Sequence, residues 1–193
     1  MTIKTKLLLS VVSLFILLSA VFWNLSKALS DQIDRAWTAR YVKKQIIFDK
    51  YRTLSPIMHE MALVKKLSNE PSVIAMAQDE SIPEAYAKGI QTLEHYRILF
   101  HNKSYFAAFT KTGHYYFNDS NNTYMNKQLQ YTLSQKNPND RWFFTTLSNI
   151  QDAGINIDRD SVLKVTKVWI NYILKDHNKT LGIIGTGFDF NTF

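Results

Sequence analysis

Cysteine is absent from the 193 residues. That excludes disulfide scaffolds, thiolate metal sites, CxxC redox chemistry and cysteine nucleophiles. It leaves the compartment open, because a chain without thiols tolerates oxidising and reducing surroundings alike. Glycine and proline are scarce, at 6 and 4, while aromatics reach 13%. A collagen-like or disordered chain is thereby excluded. The hallmarks of common hydrolases are missing too. The five histidines, at 59, 95, 101, 114 and 177, are dispersed, and neither Gly-x-Ser-x-Gly nor His-Glu-x-x-His occurs. His95 and His101 are six apart, on different faces of a helix. No glycine-rich loop follows a strand. Gly182, Gly185 and Gly187 lie inside strand-like sequence, where close packing is the expectation. Asp158 and Asp160 share a strand face and offer a cation pair, with a solvated pair near a turn as the simpler reading. No catalytic residue, metal site or cofactor is expected.

The formal charge is +7, which raises nucleic acid as a partner. The cations, however, are scattered among acids. The densest pairs, Lys43-Lys44 and Lys65-Lys66, fall on helical sequence, where a solvated face accounts for them. No nucleic-acid surface is expected.

Leu7 to Ser26 (LLLSVVSLFILLSAVFWNLS) carries no charge over 20 residues, the length that crosses a hydrocarbon core of about 30 Å as a helix. Lys4 and Lys6 precede it and Trp23 stands near its far end. Cations mark the cytoplasmic flank and tryptophan prefers the interface. The expectation is a single-pass anchor in a bacterial inner membrane. Residues 1–6 would lie in the cytoplasm, 7–26 in the bilayer, and the remainder in the periplasm or outside. The rival is a cleaved signal peptide, but Leu18-Ser19-Ala20 makes a poor cleavage site and the apolar run continues past it.

From Leu25, apolar residues recur at threes and fours through Leu29, Ile33, Trp37, Tyr41, Ile47, Phe48, Tyr51 and Leu54, an amphipathic helix. Residues 27–55 would make a stalk of about 45 Å, paired with a second copy in a homodimer, or else a plain core helix. Pro56 is expected to restart the chain, opening a domain over residues 56–193. Helices are expected over 56–68 and 83–101, separated by the breakers Asn69-Glu70-Pro71 and Asp79-Glu80-Ser81.

Strand patterns then take over. Ser104–Thr110 and His114–Asn118 flank Lys111-Thr112-Gly113, a hairpin with glycine available for positive φ. Residues 119–139 read as polar loop. Arg141–Leu147 starts as a helix capped by Asn139 or Asp140. Ile155–Asp158, Val162–Leu174 and Thr180–Phe190 are strands, the last two joined by a turn at Asp176-His177-Asn178. The fold class is α+β: one five-stranded antiparallel sheet, helices over one face and loops over the other.

Aromatics and acids concentrate in the strand and loop region. Tyr116, Tyr131, Trp142, Phe143 and Trp169, with Asp119, Asp140 and Asp189, form the candidate ligand-binding set. Apolar walls with a few polar groups suit a small molecule. Rings with carboxylates suit a cationic or amine group. For any single ring, a place in the core is the competing explanation.

The order of elements, with Asp-Arg-Trp-Phe-Phe at 140–144, VTKVWINYIL at 165–174 and LGIIGTGFDF at 181–190, resembles the extracytoplasmic Cache sensor domain, which has a PAS-like five-stranded core. The wording is most similar to the sensor regions of bacterial membrane-bound diguanylate cyclases, whose GGDEF output domain is cytoplasmic. Chemoreceptors and sensor kinases use related domains. The resemblance implies a small-molecule input domain of a signal transducer. The family's amine-recognising branch has Arg-x-Trp-Tyr and an aspartate ending the last strand. Trp142 and Asp189 match, while Phe143 stands where tyrosine is expected and Asp140 where arginine is. An acid at that position opposes a ligand carboxylate. No GGDEF stretch, kinase histidine box or methyl-accepting coiled coil occurs in these residues, so this chain as given is not expected to be an enzyme. Three readings stay open: the input domain of a transducer, a truncated diguanylate cyclase, and a partner-binding ectodomain without a ligand.

Overall fold

The computed structural model describes residues 2–149, 151–160 and 165–189, with the side chains of 53, 158–160, 165 and 189 left undescribed. The chain divides into two compact units, Met1–Arg52 and Thr53–Phe193. The first unit belongs to the helix α1 (Ile3–Leu67). This helix is long and apolar enough to cross a membrane. From Leu25, near the end of the uncharged run, Leu29, Ile33, Trp37 and Tyr41 follow at four-residue steps, all of them exposed.

α1 continues through Pro56, so the expected restart is absent. Proline removes one helical donor and crowds the carbonyl four residues back. Helical pairing nevertheless resumes, and Val64 and Leu67 are fully buried in the second unit's core. The breakers at 69–71 and 79–81 bracket a helix not anticipated from the sequence, α2 (Pro71–Gln78). α3 (Pro83–Leu99) follows. Both begin with proline in the first turn, where its missing N–H costs nothing. Gly89 of α3 meets α2 closely: a Cβ there would lie 2.5 Å from the Met76 sulfur.

The sheet has six antiparallel strands, not five. These are β1 (Tyr105–Phe109), β2 (His114–Asn118), β3 (Leu129–Thr132), β4 (Ala153–Asp160), β5 (Val165–Asp176) and β6 (Lys179–Asp189), in the order β3-β2-β1-β6-β5-β4. The added strand is β3, inside the segment expected to be loop. It is a short, half-exposed edge that pairs Tyr131 with Tyr115 and Leu129 with Tyr116 across a bulge. Leu129, Tyr131 and Leu133 do alternate with Gln130 and Thr132, a strand signal of minimal length embedded in an otherwise polar segment. The β1–β2 hairpin turns on Gly113 at φ 73°, as expected. α4 (Arg141–Asn149) is preceded by a 3₁₀ turn at Pro138–Asp140. The cap differs from expectation. Asn137 accepts a hydrogen bond from the Asn139 amide, and Asp140 instead accepts from the Ser134 amide at 2.8 Å.

Both faces of the sheet are covered. On one, α1, α2 and α3 pack over Tyr105, Ala107, Phe109, Tyr116, Ile170, Ile184 and Phe188. On the other, α4 and the loops pack over Phe106, Ala108, Tyr115, Phe117, Trp169, Ile173 and Ile183. β1 is central, and every residue of it is buried.

Candidate functional site

Strand alternation sends odd and even residues to opposite faces. Along β5 and β6, Trp169, Ile173 and Ile183 go to the loop-covered face, and Val168, Ile170, Ile184 and Phe188 to the helix-covered one. The loop-covered face is dominated by rings. Phe106 is their hub, edge-on to Trp142 at 5.7 Å and to Trp169 at 5.5 Å, and stacked with Tyr115 at 6.2 Å. Tyr131 lies 5.0 Å from Tyr115, and Trp142 meets Tyr115 and Phe143 edge-on at 6.0 and 5.8 Å. Trp142 and Tyr131 are half-buried, while Phe143 and Trp169 are buried.

Two glycines of β6 make room for these rings. A Cβ on Gly185 would fall 2.6 Å from the Phe106 ring and 2.0 Å from the Ile170 carbonyl oxygen. One on Gly187 would fall 2.8 Å from Trp169. The Gly-x-Gly pattern thus serves close packing, as the sequence suggested.

Charged groups flank the rings. Asp140 is 1% exposed; its Oδ2 accepts from the Ser134 amide and its Oδ1 has no partner. Lys167 is 9% exposed, with its Nζ 5.9 Å from the Trp169 ring centroid. In the sheet register Lys167 lies between Asp158 of β4 and Asp189 of β6. The side chains of both aspartates lie outside the described residues, as does that of Asp160, so the proposed cation pair is not placed. Among the described residues no group of three or more histidines and acids is positioned to hold a metal ion. A groove of about 280 Å³ runs beside α4, lined by Gln135, Lys136, Asn137, Pro138, Arg141 and Phe144.

The structure therefore brings together Trp142, Phe143, Tyr131 and Trp169, while Asp140 is turned to the Ser134 amide in the 3₁₀ turn ahead of α4. It separates two others. Tyr116 belongs to the helix-covered face, where its ring packs on Phe109 and its hydroxyl donates to Glu80. Burial and that carboxylate both push its hydroxyl pKa up. Asp119 sits in the β2–β3 loop, its Oδ1 accepting from the Thr123 amide and its carbonyl from Arg97. Sequence reasoning missed Phe106, Tyr115 and Lys167. A lysine within the apolar run VTKVWINYIL was a readable sign. Phe106 left none, because β1 is buried on both faces and shows no alternation.

No family model matches the chain. Among solved structures it is similar to the sensory domain of the Campylobacter jejuni chemoreceptor Tlp3 with isoleucine bound. The identity is 14% and the TM-score 0.51, over 75% of this chain and 54% of that one. It is similar too to the ligand-binding domain of Tlp3 in complex with L-norvaline, at 17% identity and TM-score 0.51 over 75% and 53%. A third is the ligand-binding domain of the Pseudomonas fluorescens chemoreceptor CtaA in complex with L-isoleucine, at 12% identity and TM-score 0.50 over 77% and 54%. The chain spans about half the length of these domains. At such identities the likeness is one of fold alone.

Proposed function

We propose that this chain is the extracytoplasmic small-molecule input domain of a membrane-bound signal transducer. The ligand would sit on the ring-lined face of the sheet, under α4 and the β2–β3 loop. One observation supports the reading: the face opposite the helices is dominated by aromatic rings, with Tyr124, Tyr131, Trp142 and Phe144 only half-buried at its outer side and Lys167 over Trp169. Rings supply apolar and cation–π contacts to a small molecule, and sparse charges orient it. The similar domains carry isoleucine, L-norvaline or L-isoleucine, ligands with an apolar body that such walls suit. Asp140 and Asp189 favour a ligand with a cationic or amine group, as the pattern of the amine-recognising branch implies.

The reading includes a topology. Residues 7–26 cross the inner membrane once, 27–55 form a stalk that pairs in a homodimer, and 56–193 face the periplasm. Of the possible outputs, the chemoreceptor draws support from the similar domains. The diguanylate cyclase rests on the wording of the C-terminal strands alone. Ligand binding acts by favouring one of two stalk arrangements, for which a few kcal/mol of differential affinity suffice.

The test is thermal melting of the full chain in detergent against a broad metabolite panel. At least one compound is expected to raise the melting temperature, and Trp142→Ala to abolish that rise. No response from any compound sinks the ligand-sensor reading and favours a ligand-free ectodomain. Alkaline phosphatase fused after Phe193 is expected to be active, since that enzyme works only outside the cytoplasm.

A further inference from the structure

The β2–β3 loop over the ring-lined face and the last turns of α1 lie on opposite sides of the sheet, and both are held by α3. Glu94 of α3, on the helix-covered side with Tyr105, is a hub at the ends of the loop. Its Oε1 accepts hydrogen bonds from Asn118 at 2.6 Å, Tyr105 at 3.1 Å and Gln128 at 3.2 Å, and its Oε2 accepts from Arg97 at 2.7 Å. Asn118 ends β2 and Gln128 precedes β3, so one carboxylate pins both ends of the loop. Within the loop, Arg97 donates to the Asp119 carbonyl at 3.1 Å. The Asn118 carbonyl oxygen of the side chain accepts from the amides of Asp119 and Tyr124. Tyr124 in turn lays its ring edge-on to Phe117, 5.6 Å away in the ring cluster.

The same stretch of α3 also grips α1 and its exit. The Tyr96 hydroxyl donates to Glu70, which caps α2 just past α1, at 2.6 Å. The His101 amide, two residues beyond α3, donates to Glu60 of α1 at 3.0 Å. Glu60 is 1% exposed, and among the described residues that amide is the hydrogen-bond partner of its Oε1 while its Oε2 has none. Contacts to the loop, at 94 and 97, thus interleave within eight residues of chain with those to the α1 exit, at 96, and to α1 itself, at 101.

We infer that α3 is the transmitting element of this domain, with Glu94 the positioning residue that ties the state of the β2–β3 loop to the last turns of α1. The Glu94 bonds are charge-assisted and mutually dependent, which makes the hub switch as a unit rather than bond by bond. Coupling of this kind is reciprocal: disturbing either end must be felt at the other.

The test needs no ligand, so its outcome is independent of the sensor reading. Amide hydrogen exchange is followed in the full chain in detergent for wild type, Glu94→Gln and Tyr96→Phe. Glu94→Gln keeps an acceptor for Asn118 but loses the charge. It is expected to speed exchange about tenfold in residues 119–128 and measurably in 57–67, with β5 and β6 unchanged. Tyr96→Phe breaks only the Glu70 bond and is expected to speed exchange in 119–128 as well as in 57–67. The inference is overturned if Glu94→Gln loosens 119–128 alone, or if Tyr96→Phe leaves the loop unchanged. Equal acceleration throughout the sheet would also overturn it, since that reports global unfolding.

Discussion

The two faces of the sheet are made from the same strands and differ in almost every physical respect. The helix-covered face is aliphatic and tyrosine-rich, and several of its members are wholly buried, among them Leu93, Ile170, Leu174 and Ile184. Its tyrosine hydroxyls are matched, Tyr96 to Glu70, Tyr116 to Glu80 and Tyr105 to Glu94, while Glu60 and Glu80 each keep one buried carboxylate oxygen without a partner. The loop-covered face is a lattice of edge-on rings, several half-exposed. One face has the character of a core that sets stability. The other keeps Tyr124, Tyr131, Trp142 and Phe144 half-open, which is what the proposed ligand site requires.

That contrast is open to measurement. Ile170→Ala, on the helix-covered face, is expected to cost about 3–4 kcal/mol in urea unfolding, because it opens a cavity in a fully buried site. Glu94→Gln is expected to cost about 1.5–3 kcal/mol at neutral pH through loss of charge-assisted bonds. Its pH dependence has a definite sign. Burial raises the Glu94 carboxyl, but hydrogen bonds from Asn118, Arg97, Gln128 and Tyr105 outweigh it and hold the pKa below the ordinary value. The folded state therefore binds that proton less readily than the unfolded one. The contribution is full above the unfolded value of about 4.3 and disappears as pH falls through the folded one. In wild type minus Glu94→Gln, the stability difference should shrink on acidification.

Trp142→Ala is expected to cost about 1–2 kcal/mol, less than a fully buried tryptophan would, while removing any ligand response. A loss as large as that of Ile170→Ala would mean that the ring-lined face is ordinary core, and the contrast would fail. The smallest effect has the opposite direction. Burial raises the Glu60 carboxyl above its ordinary value, only partly offset by the His101 amide and the nearby His59 and His101. A raised folded pKa means that ionised Glu60 subtracts stability at pH values above it. Glu60→Gln should raise the melting temperature slightly at neutral pH, and the gain should vanish as pH falls toward the unfolded value of about 4.3.

Much of this molecule can be read from local pattern. The uncharged run at 7–26, the turn glycine at 113, the helix over 83–101 and the long strands at VTKVWINYIL and LGIIGTGFDF are each a matter of neighbours in the chain. Propensity, period and breaker residues act at that range. The same holds for the aromatic wealth of residues 105–169. Tyr116 shows where such reading stops. It is an aromatic among aromatics in the sequence, yet one step of strand parity puts it beneath the helices with its hydroxyl taken by Glu80.

Three features depended on chain segments far apart in sequence. β3 exists because β2 offers it an edge, not because Leu-Gln-Tyr-Thr demands a strand. α1 passes Pro56 because Val64 and Leu67 are claimed by the core beyond it. The Glu94 hub gathers Asn118, Gln128, Tyr105 and Arg97 from across the second unit, and no spacing in the chain announces it. Local chemistry chose the elements and their class, since those free energies are settled within a few residues. Which face each ring occupies, and which buried charge finds a partner, was left to packing, because burial and desolvation are properties of the assembled sheet rather than of any segment in it.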